Sequence, residues 1–255
     1  MKKSMLVPGA LFLAAALPTL APSLALAGGK SYDLKEFDRI EIDSSVDFEI
    51  EVGKKQSVKV EASEETLERL DVFVRGHTLT IRQKRGKYRN WSGEKPEIMI
   101  AMKTLEDLEI NGSADGTIKG LKTERFDLEI NGSGDIEFTG KVGRLDVELN
   151  GTGEVTGEKI DAGHASVEIN GSGDVSLEGT CEKLNLEING SGEFDGDNLK
   201  CQAADVEIMG SGDASVYATD LVDVEVIGSG TVDISGKPDK VMKEVRRHNN
   251  IIIRD

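Results

Sequence analysis

The chain has 255 residues, of which 31 % are charged and only 4 % are aromatic, so its core must consist mainly of aliphatic side chains. Its 47 acidic residues exceed its 31 basic residues and give a net charge of −16 at pH 7. This charge excludes nucleic acid as a natural partner, because phosphates are bound chiefly by basic side chains.

Residues 1–27 have the three parts of a secretory signal peptide. Lys2 and Lys3 are followed by an apolar stretch, and Ala25-Leu26-Ala27 forms a small-x-small cleavage site. We therefore expect a mature chain of residues 28–255 that is exported to the periplasm, secreted or held at the cell surface. No later segment approaches the ~20 apolar residues that span a bilayer, so the mature chain is expected to have no transmembrane segment.

Residues 28–104 are predicted to form an N-terminal β region that covers one end of the fold. Apolar and polar residues alternate through residues 38–84, which is the period of strands with one buried face. The sequence SEETLER at residues 63–69 is consistent with a short helix or a turn. The basic, glycine-containing segment at residues 84–96 is predicted to be an exposed loop.

A sequence motif recurs seven times through residues 105–236, and its first glycine marks each copy. These glycines are Gly112, Gly132, Gly151, Gly171, Gly190, Gly210 and Gly228. Their nearly constant period of about 20 residues indicates a solenoid, in which each repeat buries its apolar face by stacking on its neighbours.

Each repeat has alternating residues on both sides of a short segment, typically Asn-Gly-Ser-Gly, which favours a bend. A β-hairpin is one interpretation. However, about 20 residues supply about 66 Å of extended chain, enough for one two- or three-sided turn of a parallel coil. We predict an all-β, single-domain parallel β-helix-like solenoid with about seven rungs, and a mixed or antiparallel β-prism is the alternative. Residues 237–255 are predicted to cap the second end.

The two cysteines occupy the same phase of adjacent repeats. Cys181 precedes Gly190 by nine residues, and Cys201 precedes Gly210 by nine. A solenoid would stack them, and an oxidising compartment permits a disulfide between them. Two free thiols on neighbouring rungs are the alternative.

Acidic residues are ordered in the repeats, and a glutamate stands three residues before every repeat glycine. Stacked carboxylates about 4.8 Å apart repel one another by ~0.9 kcal/mol per pair in water. Arg125, Arg144, His164 and Lys183 recur nearby and offset part of this repulsion. Loosely bound divalent cations are a further interpretation, with Glu129, Glu148, Glu168 and Glu187 as weak candidate ligands, and a solvated face that aids solubility is the plainer one.

Nothing in the sequence indicates a catalytic centre or a bound cofactor. A serine or threonine follows every repeat glycine, and seven equivalent hydroxyls suit a structural role at the bend better than a nucleophile. His77, His164 and His248 stand in three different contexts, so no catalytic triad is indicated. Polysaccharide-cleaving enzymes also use parallel β-helices, and a carbohydrate-active enzyme is therefore the alternative function.

The alternating N-terminal strands and the E-I-N-G-S-G-D repeats together resemble a bacterial family. The segments that carry the resemblance are FDRIEI, VDFEIEVG, VKVEA, LERLDVFV and LTIR, followed by the repeats. This order resembles the exported domain called the "putative autotransporter adhesin, head GIN domain", over residues 34–255. The resemblance implies an all-β, helix-like solenoid at the cell envelope.

We therefore expect an exported, non-catalytic binding, adhesion or structural module that presents acidic repeat faces. Its expected partner is an envelope protein or a glycan. A carbohydrate-active β-helix enzyme and a divalent-cation-binding envelope protein are the alternatives.

Overall fold

The computed structural model describes residues 28–84, 95–245 and 251–254. The predicted signal peptide, most of the predicted 84–96 loop and His248 lie outside these ranges. The described chain is nearly all β-strand and coils into a single-sheet β-solenoid of about seven turns, so the predicted fold class is confirmed.

The described residues form one short helix, α1 (Glu64–Arg69), and a series of strands. The strands are β1 (Gly28–Tyr32), β2 (Arg39–Asp43), β3 (Asp47–Val52), β4 (Ser57–Ala62), β5 (Leu70–Arg75), β6 (Thr78–Gln83), β7 (Glu97–Met102), β8 (Asp107–Gly112), β9 (Asp115–Gly132), β10 (Asp135–Gly151), β11 (Glu154–Gly171), β12 (Asp174–Gly190), β13 (Glu193–Gly210), β14 (Asp213–Gly228), β15 (Thr231–Ser235), β16 (Lys240–Val245) and β17 (Ile251–Ile253).

Each strand from β9 to β14 is one complete rung of the coil. Neighbouring rungs pair in parallel, and the pairing is interrupted near the middle, as between Thr139 and Lys141 of β10. This interruption divides a rung into a first limb, residues 135–139 in β10, and a second limb, residues 141–151. The sequence has an alternating run on each side of the bend, and in the structure the run after one bend and the run before the next belong to one long bent strand.

The two limbs enclose one continuous core that extends from Phe37 to Ile234. Alternate residues of both limbs point inward, and Ile169, for example, is 0 % exposed. The rings of Phe126, on the second limb of β9, and Phe138, on the first limb of β10, have centroids 6.0 Å apart. The aliphatic core that the composition requires is therefore shared by all the rungs.

The repeat glycines allow consecutive rungs to approach closely at the bend. Gly151 has φ +150, in the region that favours glycine. A Cβ atom on Gly151 would lie 1.9 Å from the carbonyl oxygen of Gly132 on the preceding rung. That same oxygen accepts a hydrogen bond from the backbone N–H of Thr152, at 3.1 Å. A larger residue at the glycine position would therefore push apart the rungs that this hydrogen bond joins.

The N-terminal region continues the coil as well as closing it. Strand β2 pairs in parallel with β6 and β8, and β3 pairs in parallel with β7 and β9. The antiparallel pairs β1–β4, β4–β7 and β5–β6 end the sheet on this side. Helix α1 joins β4 to β5, and the hydroxyl of Ser63 caps it by accepting from the backbone N–H of Thr66 at 3.2 Å.

The C-terminal region adds a further partial turn. Strand β16 pairs in parallel with the second limb of β14, and β17 pairs with β15. The guanidinium of Arg254 forms ion pairs with Asp197, at 3.4 Å, and with Asp233. These contacts anchor the last strand to the rungs beneath it.

Candidate functional site

The most ordered surface of the molecule is the outer side of the second limbs, which we name the acidic face. Four outward-pointing columns run along it, each built from equivalent positions of successive rungs. We name them the basic, aspartate, glutamate and asparagine columns, and they lie seven, five, three and one residues before the repeat glycines. The basic column consists of Arg125, Arg144, His164 and Lys183, and the aspartate column of Asp107, Asp127, Asp146, Ser166, Asn185, Asp205 and Asp223.

The glutamate column contains, in the described part of the chain, nine carboxylates in uninterrupted register, two more than the repeats alone predict. Its members are Glu41, Glu109, Glu129, Glu148, Glu168, Glu187, Glu207, Glu225 and Glu244. The first comes from β2 and the last from β16. The seven repeat glutamates are half-buried.

The asparagine column forms a hydrogen-bonded ladder beside the glutamates. Its members are Asn111, Asn131, Asn150, Asn170 and Asn189. In each of the last four, the side-chain Nδ2 donates to the Oδ1 of the asparagine on the preceding rung, over 2.9–3.1 Å. Nδ2 also donates to the glutamate two residues earlier, for example to Oε1 of Glu168 from Asn170 at 2.7 Å.

The ladder offsets part of the repulsion between the stacked glutamates. This contribution was not predicted from the sequence. In the last four members, each amide donates one hydrogen to a neutral asparagine oxygen and one to a carboxylate, whereas Asn111 donates to two carboxylates, those of Asp43 and Glu109. Hydrogen bonds to charged acceptors are the stronger kind. The sequence does show an asparagine directly before five of the repeat glycines. Which side chains these asparagines contact, however, depends on the register between rungs.

Replacing Asn170 with aspartate should destabilise the protein, because the change removes two hydrogen bonds and places a carboxylate beside Glu168. We expect a loss of about 2 kcal/mol, which lowers the melting temperature by about 4–8 °C in a chain of this size. Asn185→Asp is the matched control, because it makes the same change at an exposed position of the aspartate column. Equal melting temperatures for the two variants would contradict a stabilising role for the ladder.

The basic column is paired with the aspartate column rather than with the glutamates. Nε of Arg125 donates to both carboxylate oxygens of Asp127 at 2.7 Å, and Arg144 contacts Asp146 in the same way. Lys183 lies 3.9 Å from Asp205. The sequence predicted that these basic residues lie near acidic ones, and the structure shows that their partners are aspartates.

These pairs shift the pKa values of individual carboxyl groups. Burial raises the pKa of Asp107, and the charge of Asp127 raises it further. Burial acts in the same direction on Asp146, but the Arg144 guanidinium, helped by Asp127 and Arg125, outweighs it and holds the pKa of Asp146 below its ordinary value. The aspartate column is therefore electrostatically uneven, with its better neutralised members in the middle rungs.

The acids of the first limbs have a different role, because several of them accept backbone hydrogen bonds. Oδ1 of Asp135 accepts from the N–H of Glu154 at 3.2 Å, and Oδ1 of Asp213 accepts from Thr231 at 2.7 Å. Where the position holds Glu154, the N–H of Asp174 on the next rung instead donates to the carbonyl of Gly153 at 3.0 Å. These carboxylates therefore help to join successive rungs.

The hydroxyls and histidines considered in the sequence analysis are not brought together in the described part of the chain. From Ser133 onward, the backbone N–H of each repeat serine or threonine donates to the repeat-glycine carbonyl of the preceding rung. Oγ of Ser113 lies 3.1 Å from Oγ of Ser133. His77 is paired with Asp38, 3.8 Å away. His164 stands in the basic column, in register with Arg144 and Lys183.

Within residues 28–84, 95–245 and 251–254, no group of three or more His, Cys, Asp or Glu side chains could hold a metal ion. The candidates Glu129, Glu148, Glu168 and Glu187 are stacked in register, and each accepts an asparagine amide hydrogen. Loose association of divalent cations with this column stays a prediction.

Cys181 and Cys201 are paired across β12 and β13 and form a disulfide, with Cα atoms 4.5 Å apart. Both side chains are buried. The structure thus contains the bridge that their shared phase predicts.

We expect the protein, under non-reducing conditions, to be lighter by two hydrogens than its reduced form. Closing a loop of about 20 residues restricts the unfolded chain, so replacing both cysteines with alanine should cost about 3 kcal/mol. Mass spectrometry and denaturant unfolding provide the measurements. Two freely alkylated thiols in the native protein would contradict the bridge.

Two shallow grooves follow the acidic face. One, of about 420 Å³, lies between the aspartate and glutamate columns around Asp127, Arg144 and Glu148. The other, of about 200 Å³, lies farther along, around Glu168, Asn185 and Glu207. Both are open and lined mainly by polar and charged side chains, which suits contact with an extended polar partner.

Comparison with known proteins places this architecture in a defined group. The model of the family described as "Putative auto-transporter adhesin, head GIN domain" matches residues 36–158 and residues 139–238. No curated protein matches the chain. In the described residues, no helix is long and apolar enough to span a membrane.

Several solved structures share the fold. A protein described as a "Putative lipid binding protein" from Parabacteroides distasonis is 27 % identical, with a TM-score of 0.81 over 90 % of this chain and 97 % of that one. A "putative adhesin" from Parabacteroides merdae is 21 % identical, with a TM-score of 0.83 over 90 % and 96 %. A "putative adhesin" from P. distasonis is also 21 % identical, with a TM-score of 0.82 over 91 % and 98 %.

Proposed function

The chain belongs to the family described as "Putative auto-transporter adhesin, head GIN domain", and from this premise we propose that it is an exported, non-catalytic binding module of the cell envelope. The family match agrees with the resemblance noted in the sequence. The proposed binding surface is the acidic face, and the proposed partner is an envelope protein or a glycan.

The observation that carries this proposal is the unbroken register of the acidic face. Nine glutamates of the described chain, from β2 to β16, present the same group at each step of the coil. The asparagine ladder fixes the middle glutamates in one conformation, so less side-chain freedom remains to be lost on binding. A rigid, repeated surface is suited to many weak contacts with an extended partner.

Charge reversal on the acidic face tests the proposal. Glu207→Lys with Glu225→Lys alters the face at two rungs that lie beyond the asparagine ladder. Glu137→Lys with Glu193→Lys makes the same charge change on the first limbs and is the matched control. Binding of labelled protein to isolated cell envelopes should fall at least tenfold for the first pair and change little for the second. Equal losses, or no binding by the unaltered protein, would contradict the proposal.

A carbohydrate-active enzyme is the alternative, and it requires one asymmetric cluster of catalytic groups. The described rungs β9 to β14 are nearly equal in length, at 16–18 residues, and carry no long inserted loop. A panel of acidic and neutral polysaccharides tests for turnover. Reproducible cleavage that is lost on changing a single carboxylate would favour the enzyme over the binding module.

The relative described as a lipid binding protein raises a lipid as a second class of ligand. The grooves of the acidic face are lined mainly by polar and charged side chains, a chemistry that favours polar partners over acyl chains. Binding of the labelled protein to lipid vesicles should therefore be measured separately, alongside its binding to cell envelopes.

A further inference from the structure

Every asparagine of the ladder is followed by a glycine, and this dipeptide is the most prone of all to spontaneous deamidation. The five pairs are Asn111-Gly112, Asn131-Gly132, Asn150-Gly151, Asn170-Gly171 and Asn189-Gly190. Glycine has no side chain to hinder the reaction, so an unfolded chain with five such pairs is chemically vulnerable. The lifetime of the folded protein therefore depends on how the fold restrains these side chains.

The reaction begins when the backbone nitrogen of the glycine loses its proton and attacks Cγ of the asparagine. A bond forms between this nitrogen and Cγ, the bond from Cγ to Nδ2 breaks, and Nδ2 leaves as ammonia with the proton. The resulting succinimide is opened by one water molecule at either carbonyl, which gives aspartate or isoaspartate. The reaction requires the asparagine side chain to rotate toward its own backbone.

The ladder opposes this rotation through three side-chain contacts at each interior position. For Asn150, Nδ2 donates to Asn131 at 2.9 Å and to Glu148 at 2.8 Å, while Oδ1 accepts from Asn170 at 2.9 Å. The backbone is held as well, because Asn150 and Gly151 are both paired in the parallel sheet with the next rung. Attack on Cγ would break all these contacts at once.

Asn189 differs from the other members because the ladder ends there. Its Nδ2 donates to Asn170 at 3.1 Å and to Glu187 at 2.7 Å. Its partner on the next rung is Met209, which has no side-chain amide to donate to Oδ1 of Asn189. At the opposite end, Asn111 keeps three contacts, since its Nδ2 donates to Asp43 and Glu109 and its Oδ1 accepts from Asn131.

We propose that the asparagine ladder protects the five Asn-Gly pairs from deamidation, and that Asn189 is the position at which the folded protein deamidates first. The product at that position places a new carboxylate beside Glu187 and removes the donor to Asn170. The isoaspartate product also lengthens the backbone by one atom within an in-register sheet. Deamidation of the folded protein therefore begins at the C-terminal end of the ladder.

The first experiment compares deamidation in the folded and unfolded protein. The purified protein is incubated at mildly alkaline pH with and without denaturing urea, then reduced, digested and mapped by mass spectrometry. We expect at least a tenfold slower reaction at Asn111, Asn131, Asn150 and Asn170 in the folded state, with Asn189 the fastest of the five. Equal folded and unfolded rates would overturn the protective role of the ladder.

The second experiment extends the ladder by one position. Met209→Asn supplies an amide above Asn189 and creates a new Asn-Gly pair at the end of the ladder. Deamidation at Asn189 should slow severalfold in this variant, and position 209 should become the fastest site. Met209→Leu is the matched control and should leave the rate at Asn189 unchanged. An unchanged rate in the Met209→Asn variant, or equal slowing by leucine, would overturn the assignment of Asn189.

Discussion

Replacing Ile169 with aspartate should unfold the protein. Ile169 is 0 % exposed and lies in the shared core between Leu149 and Ile188 of the neighbouring rungs. The variant loses a buried aliphatic side chain and buries a carboxylate that has no partner, which together cost about 5 kcal/mol or more. That cost is similar to the whole stability of a typical domain. Circular dichroism and a thermal melt provide the measurements.

Glu168→Gln is the control for this variant, because residue 168 is adjacent in the chain and faces outward. Glutamine keeps an oxygen that can accept the amide hydrogen of Asn170, so this variant should fold and melt within a few degrees of the unaltered protein. If Ile169→Asp also retained a native spectrum and melting temperature, the assignment of the inward face would be wrong.

Replacing Gly151 with alanine should cause the second largest loss of stability. The added Cβ would lie 1.9 Å from the carbonyl oxygen of Gly132, and the residue would have to keep φ +150. Overpacking costs about 1–3 kcal/mol and the unfavourable backbone region about 1–3 kcal/mol more. We therefore expect a loss of about 2–6 kcal/mol in denaturant unfolding.

Gly76→Ala separates the two contributions to this loss. Gly76 also has a positive φ, +63, but apart from its own chain neighbours no residue comes within 4 Å of the position that a Cβ would occupy. Its substitution should therefore cost only the backbone contribution of about 1–2 kcal/mol. Equal losses at Gly76 and Gly151 would show that the close approach of the rungs contributes nothing.

The solenoid could be predicted because the features that define it recur within each repeat of about 20 residues. A constant period, alternation on both sides of the bend and the shared phase of Cys181 and Cys201 are all visible when one repeat is compared with the next. The register follows from the same period, since each residue stacks on its equivalent. The glutamate column was therefore predictable for the seven repeats.

The pairing of the N-terminal strands was not predictable in the same way. Strand β2 lies between β6 and β8, so Glu41, which precedes all the repeats, stacks on Glu109 of the first repeat. Glu244 likewise joins the column through β16, which lies beyond the last repeat glycine. Such contacts depend on how the whole chain coils, and no local pattern encodes them.

The role of the asparagines was missed for a different reason. The residue types of the Asn-Gly-Ser-Gly segment predict a bend and nothing more specific for the asparagine. In the structure the asparagine is the last outward residue of the strand, and its amide is directed sideways to Glu and Asn neighbours. Backbone propensity explained the position of the bend, but the side-chain hydrogen bonds could be assigned only once neighbouring rungs were in place.

The buried disulfide has a mechanical consequence for a module that is held at one end and pulled at the other. Strands β1 and β17 lie at opposite ends of the coil, so tension applied to the two termini peels rungs away one after another from the ends. The covalent bond between Cys181 and Cys201 withholds about 20 residues from extension, or roughly 65–70 Å of contour length. Unfolding from the C-terminal end therefore reaches the disulfide at Cys201 in β13 before it reaches β12. In a single-molecule stretching experiment, the fully extended protein should be shorter by this length. Adding a reducing agent should recover the missing length.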